Sequence, residues 1–127
     1  FDRLYVYKLD LHAGQLEQLL SHFRTHPIRS LHIFCCSVAP GALTNIAVSL
    51  DLIKVTAGKF GRFVLPDVAD VAQAFKECEI RFDIHTLGAT QARAASEFAV
   101  AMHKACPLTA RGHMRINKVT VGLTHGF

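Results

Sequence analysis

Apolar residues recur along the chain at two different spacings, and the two alternate. Leu16, Leu19, Leu20 and Phe23 follow the i, i+3, i+4, i+7 spacing that turns one face of a helix into a core. The same spacing returns in Leu43, Ile46, Ala47 and Leu50, then in Val68, Val71, Ala72 and Phe75, and again in Ala95, Phe98, Ala99 and Met102. The starts of these stripes lie 27, 25 and 27 residues apart, a near-constant period that marks a repeat.

Strand-like segments with period-two alternation fill the gaps between stripes. They share one template: Phe1-x-x-Leu4-x-Val6-x-x-Leu9, Ile28-x-x-Leu31-x-Ile33-x-x-Cys36, Leu50-x-x-Ile53-x-Val55-x-x-Gly58, Glu79-x-x-Phe82-x-Ile84-x-x-Leu87 and Ile116-x-x-Val119-x-Val121-x-x-Thr124. Strands alternating with helices call for parallel pairing through crossover helices. Leu19, Leu31, Ile33, Val71, Phe98 and Val119 occupy equivalent inward slots and are expected to share one core. The spacing leaves one choice open. Either the second helix is short and the third strand is Leu52–Val55, or the helix runs on to Gly58 and the strand is Phe60–Leu65. Pro27 and Pro107 follow helical stretches where a helix should have stopped, and Asp67 is a candidate N-cap.

The template L-x-x-L-x-L-x-x-N/C-x-L followed by a helix resembles the leucine-rich repeat. The repeat length is similar to that of the helix-bearing ribonuclease-inhibitor type and of the cysteine-containing type found in F-box proteins. Cys36 stands in the asparagine/cysteine slot, and Cys106-Pro107-Leu108 is similar to the Cys-Pro-x-Leu between such repeats. The match is degenerate, with Leu9, Gly58, Leu87 and Thr124 in the other slots. The resemblance implies an α/β solenoid of repeated β-α units, with a parallel sheet and helices on one face. It also implies substrate recognition of the kind F-box proteins perform for ubiquitin ligases. No F-box helices occur in these 127 residues, so that role rests on fold analogy. A compact two- or three-layer α/β domain is the alternative architecture. Residues 1–127 are expected to form a single repeat domain, a fragment of a longer chain because it opens on Phe1.

Composition narrows the function classes. Half the residues are hydrophobic and 19% are charged, which fits a packed domain rather than a disordered one. No apolar run approaches the ~18 residues of a membrane span, and neither a membrane partner nor a secretory signal is expected. The net charge of +4 is mild, and no basic run exceeds two residues. Cys35, Cys36, Cys78 and Cys106 read as free thiols of a reducing, cytoplasmic or nuclear compartment. There is no G-x-G-x-x-G, G-x-x-x-x-G-K-[ST] or G-x-S-x-G, so nucleotide-phosphate and hydrolase-elbow chemistry lack support. His22 and His26 are four apart but lack the Glu of a zinc helix. Cys35 and His32, three apart on one strand, point to opposite faces and cannot pair as nucleophile and base. No catalytic residue, metal site or cofactor is therefore expected.

What remains is a binding face. With Leu4, Val6, Leu31, Ile33 and Val55 inward, Tyr5, Tyr7, His32, Phe34, Lys54, Thr56, Asp83 and His85 point the other way. Across the sheet they are expected in rows: Arg3, Ser30, Leu52, Arg81 and Lys118; Tyr5, His32, Lys54, Asp83 and Thr120; Tyr7, Phe34, Thr56, His85 and Gly122. Exposed aromatics of this kind anchor interfaces. The main expectation is thus a non-catalytic protein–protein interaction module, its partner another protein or a second copy. Two alternatives stand beside it. One is an RNA-binding α/β domain using Gly58-Lys59-Phe60-Gly61, a G-x-x-G of the kind that clamps nucleotide backbones in KH domains, together with the basic residues. The other is a small α/β enzyme without a recognisable motif.

Overall fold

The structure is a computed structural model that describes residues 3–11, 13–22, 28–47, 49–59, 62–106 and 112–121. Phe1, Phe23, His26, Pro27, Phe60, Gly61, Pro107, Leu108, Gly122 and Thr124 lie outside the described residues, so nothing further is drawn from them.

A mixed α/β domain results. Its main sheet contains β1 (Arg3–Tyr7), β3 (Ser30–Phe34), β5 (Leu52–Ala57), β6 (Glu79–Ile84), β7 (Gly112–Ile116) and β8 (Val119–Val121), paired in that order. The first five strands are parallel, and β8 turns back antiparallel to β7. Short β2 (Asp10–Leu11) and β4 (Ser37–Val38) form a second parallel pair just after the first two strands. The helices are α1 (Ala13–Ser21), α2 (Ala42–Ala47), α3 (Val68–Ala74) and α4 (Gly88–Ala105). Neighbours in sequence are neighbours in space, α1 against α2, α2 against α3 and α3 against α4.

The alternation in the sequence decides which face the helices cover. Val6, Leu31, Ile33, Ile53, Val55, Ile80, Phe82, Ile84 and Met114 are buried in one core with Leu16, Leu43, Ile46, Val71, Phe98 and Met102 from the helices. The stripes that predict α2 and α4 are buried along their whole length. The third strand is Leu52–Ala57, and α2 is the shorter of the two possibilities. Its six residues are held from outside. The buried carboxylate of Asp70 in α3 accepts from the Leu43 and Thr44 N–H groups, each at 3.2 Å, and from the Thr44 hydroxyl. Asp67 caps α3 as expected, accepting from Asp70 N–H at 3.1 Å.

Two expectations about strand position are corrected. Ile80, not Phe82, lies level with Ile53, so the fourth template is shifted by two residues, with its faces preserved. Leu87 is 73% exposed at the start of α4 rather than in an inward slot. The fifth template also fails. Asn117 and Lys118 have φ of +50° and +68°, the conformation of a two-residue hairpin turn, which reverses the chain between β7 and β8. Val119 is consequently 65% exposed and does not share the core.

Candidate binding face

The side of the sheet away from the core carries the odd-numbered residues of β1, β6 and β7 and the even-numbered residues of β3, β5 and β8. None of those side chains is buried. Register sets three rows across this side. Arg3, Ser30, Leu52 and Glu79 form the first; Tyr5, His32, Lys54, Arg81 and His113 the second; Tyr7, Phe34, Thr56, Asp83, Arg115 and Thr120 the third. The two-residue shift of β6 moves Arg81 beside Lys54 and Asp83 beside Thr56. It also leaves His85 past the end of its strand, not in the third row. Lys118 belongs to the hairpin turn rather than to the first row.

All eight expected binding residues share this side, and four of them form a stack. Parallel strands stand about 4.8 Å apart, so aromatic residues in register must meet. Tyr5 and His32 have ring centroids 4.7 Å apart, and Tyr7 and Phe34 are also 4.7 Å apart and within 12° of parallel. Tyr5 to Phe34 at 5.9 Å and His32 to Phe34 at 6.4 Å close the group. Tyr5 and Tyr7 remain 43% and 59% exposed, so part of each ring is open to a ligand. The His32 ring is the group's most constrained member. Its Nε2 is enclosed without a hydrogen-bond partner among the described residues. Burial, helped by the charges of Lys54 and Arg3, pushes its pKa below the ordinary histidine value.

Charge gathers around the stack. Arg3, Lys54, Arg81 and Arg115 stand in the rows, and Lys8 and Lys59 stand at the rim beside Tyr7 and Phe34. Against these six cations there are two carboxylates, each in an ion pair. Glu79 meets Arg81 at 3.0 Å, and Asp83 meets His85 at 3.3 Å.

Where β1, β3 and β5 end, a hollow of about 420 Å³ opens next to the stack, lined by Tyr7, Phe34, Lys8, Lys54, Asp83 and His85 among others. Gly58 sits at its base with φ +80°, and a Cβ there would fall 1.9 Å from the His85 carbonyl oxygen. Gly58 and Lys59 follow a strand rather than joining two helices, so the G-x-x-G lacks the setting of a KH clamp. A second hollow of about 300 Å³ lies farther along the sheet, between Lys54, Arg81, His113 and Arg115.

Cys36, Cys78 and Cys106 lie in the core, whereas Cys35 lines the hollow. None of the four cysteines is in a disulfide, and all four are buried. Cys36 accepts from the Leu9 N–H at 3.5 Å and lies 3.4 Å from the Phe34 carbonyl, tying the second β-α unit to the first. Burial pushes the Cys36 and Cys106 thiols above their ordinary pKa, which keeps them protonated. Cys35 donates to the Gly58 carbonyl at 3.4 Å. No group of three or more His, Cys, Asp or Glu among the described residues is arranged to hold a metal ion. No described helix is long and apolar enough to cross a membrane.

Sequence reasoning missed Lys8 and Arg115 as members of this face, and placed Lys59 only in the G-x-x-G loop. Lys8 and Lys59 take φ of +50° and +67°, a left-handed conformation that lysine rarely signals. Arg115 was hidden because the template put the last strand around Val119 and Val121, past the hairpin turn, instead of at Gly112–Ile116. No protein-family model, curated protein or solved structure matches this chain.

Proposed function

We propose that this chain is a non-catalytic binding domain whose open sheet face takes single-stranded RNA. One observation carries the reading: the four-ring group stands on an open sheet face where Arg3, Lys54, Arg81 and Arg115 outnumber the carboxylates Glu79 and Asp83. Unpaired bases stack on aromatic rings whatever their sequence, and a basic groove tracks the backbone beside them. A protein interface core is instead depleted in lysine and in charge generally. Here Arg3, Lys8 and Lys54 stand beside the rings. The sheet itself is the platform, and the Gly58 turn shapes one end of it. Fluorescence anisotropy of a labelled single-stranded oligoribonucleotide tests the reading. Binding should weaken linearly in log–log form with added salt, by about 0.7 per phosphate contact. Binding that is absent at low salt contradicts it.

A second reading, a protein partner, draws on a different observation. Five parallel strands advance in chain order with helices side by side in the same order. Cys36, in the slot of the leucine-rich-repeat template, contacts the preceding unit. This course supports a leucine-rich-repeat-like solenoid, an architecture whose open sheet serves as a docking surface. Tyr5 and Tyr7 would then be anchors in the partner's pockets. Salt separates the readings, because anchoring by aromatic burial depends on ionic strength far less than counterion release does.

A further inference from the structure

We infer that the hollow at the ends of β1, β3 and β5 is a binding site for a single ribonucleotide. The inference rests on the proposed RNA-binding role of the sheet face and assigns that face a defined pocket. At about 420 Å³ the hollow falls within the ~300–1,000 Å³ of ligand pockets.

Its lining carries three chemistries, as a nucleotide does. The first is aromatic: Tyr7 and Phe34, stacked 4.7 Å apart, end the aromatic group here and give a base aromatic surface to pack on. The second is cationic, with Lys8 and Lys54 available to a phosphate. The third is acidic, with Asp83, whose carboxylate only accepts hydrogen bonds and so selects donors. The 2′-hydroxyl of a ribose is such a donor, and deoxyribose lacks it. His85 Nε2, 3.3 Å from Asp83 Oδ1, fixes the direction of that carboxylate.

The backbone around the hollow is unusual in the same place. Lys8, Cys35, Gly58 and Lys59 all have positive φ, between +50° and +80°, and all four line it. Left-handed residues turn the chain sharply as each strand ends, and such costly conformations gather where surrounding structure holds a site open. Gly58 is fixed there by the His85 carbonyl, because a side chain would push the ends of β5 and β6 apart.

The test is a titration of the 127-residue chain with AMP, dAMP, adenosine and inorganic phosphate, followed through backbone amide chemical shifts. AMP should shift the Gly58, Thr56 and His85 amides saturably, and adenosine and phosphate alone should bind at least about tenfold more weakly, since each leaves one part of the lining unused. Phe34→Leu should weaken AMP by about tenfold, the scale of one lost base stack. Asp83→Ala, which removes the acceptor, should remove the preference for AMP over dAMP. Failure of this inference and failure of the RNA reading are distinguishable through Tyr5, which lies outside the hollow. Oligoribonucleotide binding that needs Tyr5, with no response of the hollow to AMP, overturns the nucleotide pocket and leaves the platform standing. AMP binding without any gain for the oligomer does the reverse. Equal shifts from phosphate and AMP would reduce the hollow to an anion site and overturn the inference.

Discussion

Gly58→Ala separates two costs that a glycine substitution usually mixes. Gly58 has φ +80°, and Gly41 has φ +87°. An alanine at either position pays for the left-handed conformation, about 1 kcal/mol. Beyond that the two differ. A Cβ at Gly41 meets nothing within 4 Å, whereas at Gly58 it lies 1.9 Å from the His85 carbonyl oxygen and 3.0 Å from its carbon. That atom belongs to backbone, and the neighbouring His85 N–H is bonded to the Ala57 carbonyl at 2.9 Å, so the tip of β6 cannot yield alone. Forcing such an overlap apart costs about 1–3 kcal/mol. Gly41→Ala should therefore lose about 1 kcal/mol, and Gly58→Ala about 2–4 kcal/mol. Urea denaturation of both variants beside the parent chain, fitted with a common slope, gives the difference. Equal losses at the two positions would refute the claim that the ends of β5 and β6 are locked together around the hollow.

Two further outcomes follow from the same structure. Asp70→Ala should cost about 2–4 kcal/mol, because it orphans the Leu43 and Thr44 N–H groups that the carboxylate satisfies; a loss under about 0.5 kcal/mol by denaturation would show that α2 holds its start unaided. The His32 pKa is depressed in the folded chain, so as pH falls below 6.5 the unfolded chain takes up its proton first. Stability should therefore fall through that window and level off below the folded pKa, and His32→Gln should flatten that part of the pH profile.

The fold was largely legible because its signal is periodic. Leu43, Ile46, Val71, Phe98 and Met102 announce a helix face by spacing alone, and Leu31, Ile33, Ile53 and Val55 announce a sheet face by alternation. Burial then follows, since each β-α unit has one apolar side and only its neighbours to cover it. Side assignment survived even where register did not. A two-residue slip keeps every side chain on its face, which is why Arg81 and Asp83 were placed on the correct side but in the wrong rows. The end of the sheet was not legible. Ile116, Val119 and Val121 fit the template, but Asn117-Lys118 adopts a hairpin turn for which lysine gives no cue. Lys8 was missed, and Lys59 was placed only in the G-x-x-G loop, for a related reason. Their placement depends on left-handed turns that follow the strands, and the alternation along a strand does not reach past its end.

The central claim is that the aromatic stack and the surrounding cations together bind single-stranded RNA. The direct measurement is anisotropy of a labelled oligoribonucleotide with the parent chain and with the Tyr7→Ser/Phe34→Ser double variant, at about 50 and 200 mM salt. Neither side chain fills the core, so circular dichroism and denaturation of the double variant should match those of the parent. Stacking contributes about 1–3 kcal/mol per base, so affinity should drop by tenfold or more at both salt concentrations, with an unchanged salt slope. A double variant that folds normally and binds as tightly as the parent would contradict the account.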